Sequence, residues 1–452
     1  MPNLTQLRLA ARDIFDETLR AVDAGEAVRR AVHLKGSQLR VQDATIELSN
    51  RWIYSIAIGK AALPMALALE DVIGERFIRG LIVGPVRTPR ACVPSSRWQW
   101  CDGGHPLPTK TSLVAAEEAF ALLERANKER ALLIFLISGG GSAMLEWPIQ
   151  LDITLADLRM ANKVLINCGA SIVEINSVRR AFSAVKGGRL AARAPNCDQI
   201  TLIVSDVPSG HERNVASGPT LAASCDSPDP REVAARYHLN AKLPEAILRA
   251  IEGKPPATFA SDDHASMMRK HFVLLANDDA LATAAKAARQ LGFVTEISRD
   301  INDQRIEDGC GEIIKRLETF QNSSVDNPSQ NSICLVSGGE FACPVNGSGI
   351  GGRNQETALR LALESENPAR TSTLMTFVTL CAGTDGIDGN SPAAGAIVDS
   401  TTIQRAREIG LDPEDFLKRS DAYSFFVALG DAITTGATGT NVRDIRILLA
   451  EQ

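Results

Sequence analysis

The chain has 452 residues, 44% of them hydrophobic and 23% charged, with a formal net charge of -6. A chain of that length exceeds what one hydrophobic core usually organises, so two domains are expected. No apolar run approaches the roughly 18 residues of a membrane span, and a negative surface argues against nucleic acid as a partner.

The N-terminal segment MPNLTQLRLAARDIFDETLRAVDAG spreads acidic residues through a helical pattern. It lacks the basic start and apolar block of a secretory leader, so a cytoplasmic protein is expected. The nine cysteines form no CxxC pair and show no metal-ligand spacing. Reduced thiols in a reducing compartment are the simplest reading.

Short apolar runs then alternate with amphipathic helical stretches. In chain order they are IYSIAI (53–58), GLIV (80–83), LLIFLI (132–137), ITLIV (200–204), FVLLA (272–276), ICLV (333–336) and LMTFVTL (374–380). Runs that are apolar throughout and alternate with helices read as parallel strands covered on both faces, an α/β protein. The stretch 221–270 has many prolines and little continuous periodicity, which places a domain junction there; the boundary is set at 240/241. The polar tract QNSSVDNPSQNS (321–332) reads as an exposed loop.

In doubly wound sheets ligands bind beyond the carboxyl ends of the strands, so the residues just after each run carry the functional reading. IYSIAI ends in Gly59-Lys60, placing a lysine at a helix start, where it reinforces the positive end of the dipole or is simply solvated. LLIFLI runs into Ser138-Gly139-Gly140-Gly141-Ser142, which suits either close approach of backbone N–H groups to an anion or a tight turn with no ligand. Glu174-Ile175-Asn176-Ser177-Val178-Arg179-Arg180 with Lys186-Gly187-Gly188-Arg189 is a basic cluster suited to phosphate or carboxylate, or an ordinary helix surface. ITLIV ends in Ser205-Asp206, whose carboxylate could hold magnesium, take a proton from a hydroxyl, or cap a helix.

Further on, Gly347-Ser348-Gly349-Ile350-Gly351-Gly352-Arg353 formally contains G-x-G-x-x-G. The acid expected some twenty residues later is missing, which weakens a dinucleotide reading. The alternative is that the glycines fold tightly to present Arg353 to a transferring phosphoryl group. LMTFVTL leads into Thr384-Asp385-Gly386-Ile387-Asp388, two carboxylates suited to a nucleotide-borne magnesium or to an Asx-rich turn. There is no GxxxxGK[ST], HRD, DFG or HExxH, and of six histidines only His105, in Gly104-His105-Pro106, stands where it could face a ligand.

Together these motifs resemble the glycerate 2-kinase family, whose members carry a C-terminal module called MOFRL. The resemblance runs through AIGKAA (57–62), GGHPLPTK (103–110), LISGGGSAML (136–145), EINSVRRAFSAVKGGRLA (174–191), ASGPT (216–220), VSGGE (336–340), GGRNQE (351–356), AGTDGIDG (382–389) and GATGTNVRD (436–444). It implies an N-terminal Rossmann-like domain over 1–240 and a C-terminal α/β domain over 241–452, with the MOFRL module at about 332–445 and the active site in the cleft between them. It implies ATP and Mg2+ as cosubstrate and cofactor, and D-glycerate as the small-molecule substrate, converted to 2-phosphoglycerate by a monomer or homodimer. Lys60 and Arg353 then become the leading catalytic candidates, with Asp206 beside them. Ser138, Gly139, Gly140, Gly141, Ser142, Gly339 and Glu340 are assigned to nucleotide or phosphate, Asn176, Arg179, Lys186, Asn354 and Glu356 to substrate, and Asp385 and Asp388 to metal. The sequence departs from the family at 208–215, where Pro-Ser-Gly-His-Glu-Arg-Asn-Val replaces a short acidic stretch. A hydroxypyruvate reductase using NAD(P)H and a non-catalytic nucleotide-binding relative are the other readings.

Overall fold

In the computed structural model, residues 4–86, 94–224, 226–253, 267–324, 332–364, 366 and 376–451 are described. The chain forms two compact units, one of residues 24–275 and one that joins 1–23 to 276–452.

The unit 24–275 begins with an antiparallel meander of β1 (Val32–Lys35), β2 (Gln38–Val41) and β3 (Ala44–Glu47). Its main sheet contains β4 (Ile53–Ile58), β5 (Phe77–Gly84), β6 (Trp98–Asp102), β7 (Leu132–Ser138), β8 (Asp198–Val204) and β9 (Arg269–Leu275). All neighbours are parallel, in the order β6-β5-β4-β7-β8-β9. Renumbered from β4 this is the Rossmann order 3-2-1-4-5-6. Strands β4 and β7 are buried at every position, as expected for strands covered by helices on both faces. A second, helical core gathers Leu158, Phe182, Val233 and Ile247. Its helix Ile172–Phe182 starts with a capping box in which Ser171 and Glu174 satisfy each other's backbone N–H.

The other unit contains β10 (Val294–Ser298), β11 (Ser332–Gly339), β12 (Thr376–Gly383), β13 (Gly395–Asp399), β14 (Ala432–Ile433) and β15 (Asp444–Glu451), in the order β10-β11-β15-β12-β13-β14. Only β10 and β11 pair in parallel; β15 runs antiparallel between β11 and β12. Here the expectation of parallel pairing is corrected: β11 and β12 share a direction but are separated by a strand that returns from the far end of the chain. Alternate residues of β15 enter opposite cores. Ile445, Ile447 and Leu449 pack with Leu7, Ile14 and Leu281, whereas Leu448 and Ala450 pack with Ile313, Leu359 and Phe425.

Helix Leu4–Ala21 therefore belongs with the second unit, tied by Arg8 to Asp399 and Asp431. Strand β9, the FVLLA run, closes the edge of the first sheet. The compact units thus part at Asp23/Ala24 and Leu275/Ala276 instead of at 240/241. The tract 321–332 begins as the last turn of helix Ile306–Ser324, and 325–331 lie outside the described residues. Seven cysteines are free among the described residues, and no described helix is long and apolar enough to cross a membrane.

Candidate active site

The order of the first sheet reverses between β4 and β7, because β5 and β6 lie on one side and β8 and β9 on the other. Loops leaving such neighbouring strands diverge and open a crevice at their carboxyl ends. The two loops here are Gly59-Lys60 and Ser138–Ser142, and they are stitched together. Lys60 N donates to Gly139 O at 2.9 Å, and Ala61 N donates to Ser138 Oγ at 3.0 Å. Gly59 has φ of 114°, and a Cβ there would lie 2.4 Å from both Ser138 O and Ser138 Oγ. Only glycine permits that approach. At Gly140, φ is 81° and a Cβ would stand 3.2 Å from Lys60 Cγ and from His105 Cδ2, so both side chains lie against the glycine loop. Lys60 and Ser142 are partly exposed; Asp206, beyond the adjoining β8, is partly exposed at the same edge.

Other residues expected to meet ligand are instead internal. Ser138 is buried, accepting from Ala61 N and donating to Ile58 O at 3.2 Å, so its hydroxyl is structural. Asn176 is buried; its Nδ2 donates to Asn214 O at 3.3 Å and its Oδ1 accepts from Ser217 Oγ at 2.7 Å. Arg179 Nε donates to Asn162 Oδ1 at 2.9 Å, and burial lowers its guanidinium to about 10. Burial likewise lowers Arg180, whose Nη2 donates to Asn214 Oδ1 at 2.8 Å, to about 10.

Lys186 is 1% exposed and pairs with Glu146, which also accepts from Ser183 Oγ at 2.5 Å and Trp147 N at 3.0 Å. Burial depresses the Lys186 ammonium below its usual value, against the opposing pull of Glu146. The basic cluster is thus an internal frame behind the glycine loop, and Asn176, Arg179 and Lys186 do not present themselves to a substrate carboxylate. The partners Glu146 and Asn162 carry no signal in the local pattern; Asn214 lies in the divergent segment 208–215 and Ser217 in the ASGPT motif.

In the second unit Arg353 opens helix Arg353–Glu364. Its Nε donates to Asp444 Oδ2 at 2.5 Å and its Nη2 to Asp444 Oδ1 at 3.2 Å, while Glu340 lies 3.0 Å from Nη2. Burial would raise the Asp444 carboxyl, but the adjacent guanidinium outweighs it and holds the group below its usual value. Burial would likewise lower Arg353, yet Asp444 and Glu340 drive it well above its ordinary value. Arg353 keeps 36% exposure and lines a cavity of about 380 Å³ with Phe341, Cys343, Gly351, Glu356 and Asn390.

The same helix is anchored by a remote carboxylate. Buried Asp388 accepts from Asn354 N at 3.0 Å, Asn354 Nδ2 at 3.2 Å and Gln355 N at 2.8 Å, satisfying first-turn donors as a cap would. Burial pushes its carboxyl up to about 7. Asp388 is therefore corrected from metal ligand to helix anchor, and Asn354 from substrate group to its partner. Glu356 is buried and pairs with Arg360 at 2.8 Å, and Gly339 N donates to Asn277 Oδ1 at 3.1 Å. Asp385 is partly exposed and accepts from Ile387 N at 3.1 Å. Among the described residues no group of three or more His, Cys, Asp or Glu side chains is placed to hold a metal ion.

The glycine stretch before Arg353 does not form a dinucleotide cradle. A loop from Glu340 onward separates it from β11, and although Gly349, Gly351 and Gly352 line the cavity beside Arg353, other chain segments approach two of them closely. A Cβ on Gly352 would lie 2.3 Å from Asp388 Oδ1, and one on Gly349 2.4 Å from Asp421 Cβ.

Residues 10–252 match a family described as a domain of unknown function (DUF4147), and residues 333–444 match the MOFRL family. A D-glycerate 2-kinase of Thermotoga maritima is 33% identical over 96% of this chain and 99% of its own length. A crystal structure of a glycerate kinase from Thermotoga maritima aligns with a TM-score of 0.79 and 30% identity, over 99% of this chain and 100% of that one. A relative from Agrobacterium vitis, 35% identical over 87% of this chain and 86% of its own length, is named only provisionally as a hydroxypyruvate reductase.

Proposed function

The chain belongs to the glycerate 2-kinase family, and we propose that it carries out that family's reaction with ATP as donor, giving ADP and 2-phosphoglycerate from D-glycerate. The observation that carries the reading is the β4/β7 switch point. There a lysine and a glycine loop are stitched into one edge of a parallel sheet, the position at which doubly wound sheets take phosphate-bearing ligands. Lys60 supplies a cationic point charge to the phosphates, and Gly139, Gly140 and Gly141 let backbone approach them closely. Asp206, at the same edge, is the acceptor proposed for the proton of the attacking 2-hydroxyl.

Arg353 keeps its proposed role in stabilising transferred charge on chemical grounds, as a planar donor already held in orientation by Asp444. A magnesium ion borne by the nucleotide needs few protein carboxylates. Asp385, partly exposed, fits as one such ligand, and the ion would neutralise phosphate charge; Asp388 does not fit, because both its oxygens serve the helix. A cytoplasmic location accords with the free cysteines.

Positioning and charge neutralisation then supply most of the acceleration, since phosphoryl transfer asks little covalent work of the protein. The test is a coupled ADP-release assay with D-glycerate, its product passed directly to enolase. ADP release that depends on glycerate, followed by enolase turnover without a mutase, is expected. Absence of ADP release together with oxidation of NAD(P)H by hydroxypyruvate would instead select the reductase.

A further inference from the structure

Ser142, a partly exposed residue, ends the glycine loop, and the hydrogen bonds made by its hydroxyl fix which way its proton points. Ser142 Oγ lies 2.8 Å from Ser217 Oγ, and Ser217 Oγ lies 2.7 Å from Asn176 Oδ1. The Asn176 amide has one orientation. Its Nδ2 faces the Asn214 carbonyl at 3.3 Å and its Oδ1 faces Arg179 Nη1 at 3.5 Å, so exchanging the two atoms would set acceptor against acceptor and donor against donor. The guanidinium is itself held, because Arg179 Nε donates to Asn162 Oδ1 at 2.9 Å while Asn162 Nδ2 donates to Leu158 O at the same distance.

Ser217 has a single proton, and an amide oxygen can only accept it. Ser217 therefore donates to Asn176 and must accept from Ser142. Ser142's one proton is thus committed to Ser217, and what its oxygen has left to offer a ligand is lone pairs.

The backbone around Ser217 is shaped to hold this arrangement. Ala216, Ser217 and Gly218 are three successive left-handed residues, with φ of 51°, 62° and 66°. Two of them carry side chains for which that conformation is unfavourable. The turn is pinned by Gly187 N donating to Ser217 O at 3.2 Å and Gly188 N donating to Gly218 O at 2.7 Å.

We infer that Ser142 is a specificity residue that accepts a hydrogen bond from a ligand hydroxyl, and that it does not donate to phosphate, which is where the sequence placed it. On the proposed reaction, which this inference rests on, the hydroxyl is the 3-hydroxyl of D-glycerate. The 2-hydroxyl must surrender its proton during attack, and a neutral serine whose own proton is already placed cannot take it. Ser217 is a positioning residue that acts through Ser142.

The test compares D-glycerate with (R)-lactate, which lacks the 3-hydroxyl, as substrate or as competitive inhibitor. Ser142→Ala should lower kcat/KM for D-glycerate roughly three- to tenfold, the range of one neutral hydrogen bond, and leave the inhibition constant of (R)-lactate unchanged. If the ligand hydroxyl is a ribose hydroxyl instead, the loss persists with (R)-lactate and vanishes with 2′- or 3′-deoxy-ATP. A loss equal for every ligand overturns the inference.

Ser217→Ala supplies an independent arm, because it frees the Ser142 proton to turn outward. Inhibition by sulfate should then tighten several-fold, and Ser142→Ala added to Ser217→Ala should abolish the gain; sulfate inhibition unchanged from the wild type counts against the proton direction. Should wild-type protein release no ADP with glycerate, the proposed reaction fails, while the sulfate arm still reports on the proton direction.

Discussion

Replacing Lys186 by methionine separates a substrate-binding lysine from a structural one. Lys186 and Glu146 are each 1% exposed, and Glu146 has two further bonds, from Ser183 Oγ and Trp147 N. Removing one partner of such a buried pair costs about 3–5 kcal/mol, because the remaining charge is stranded. The two surviving bonds to Glu146 place the loss near the lower end, about 3 kcal/mol. For a unit of this size that lowers Tm by roughly 6–12 °C. Adding Glu146→Gln removes the stranded charge while keeping an acceptor for both donors, so most of the loss should be regained in the double variant. Thermal melts of the full chain and KM for D-glycerate measure the two sides. The expected pattern is a low Tm in Lys186→Met, recovery in the double variant, and little change in KM for the double variant. A Tm within about 2 °C of wild type, together with a KM raised tenfold in both variants, would refute the reasoning and return Lys186 to the substrate.

Three further outcomes follow from the same geometry. Arg353→Ala should lower kcat by on the order of 10³, and because it removes the bidentate partner of buried Asp444, which still has Asn354 and Arg446 beside it, it should also destabilise the second unit by about 1–3 kcal/mol. Adding Asp444→Asn should restore the melting temperature and leave turnover low; near-wild-type turnover in either variant contradicts the role. Asp388 is pushed up to about 7 by burial, above its unfolded value, so the folded state binds more protons between about pH 4 and 7 and stability falls as pH rises through that window. Asp388→Asn should flatten that slope, and an unchanged Tm–pH profile would count against it. Gly59→Ala drives a Cβ into Ser138 O at φ of 114°, so a destabilisation on the order of 3 kcal/mol with near-complete loss of activity is expected, measured by melting and ADP release.

The centre of the first sheet was legible because β4 and β7 are apolar almost throughout and run into glycine and polar residues, whereas β6, with Gln99 and Asp102 among its five residues, gives no such run; FVLLA reads as a strand from its apolar half alone, since β9 begins Arg269-Lys270-His271. What local pattern cannot carry is partnership across the chain. Strand β15 and the return of helix Leu4–Ala21 to the second unit depend on packing between opposite ends of the sequence. The same limit misread the charged motifs. Lys186 meets Glu146 forty positions earlier, and Arg353 meets Asp444 ninety-one positions later.

That pattern sorts the motifs physically. In a chain of net charge -6, a buried cation without a carboxylate or amide partner would be prohibitively costly. The residues that look most like anion ligands in sequence are therefore also those most easily claimed by internal partners. Arg179 and Lys186 follow that rule and fix the frame behind the glycine loop, and in the other unit Asn354 is claimed in the same way by Asp388 at its helix start. A frame of this kind leaves its mark in whatever it orients toward solvent. Around the β4/β7 edge that residue is Ser142, which stands with the partly exposed Lys60 and Asp206, and the three differ in charge and in hydrogen-bonding capacity. On the proposed reaction, a cation, a carboxylate and a lone-pair acceptor beyond the carboxyl ends of neighbouring strands would distinguish the phosphates, the reacting hydroxyl and the spectator hydroxyl of a single transfer. An edge lined only with donors would favour any anion over the substrate.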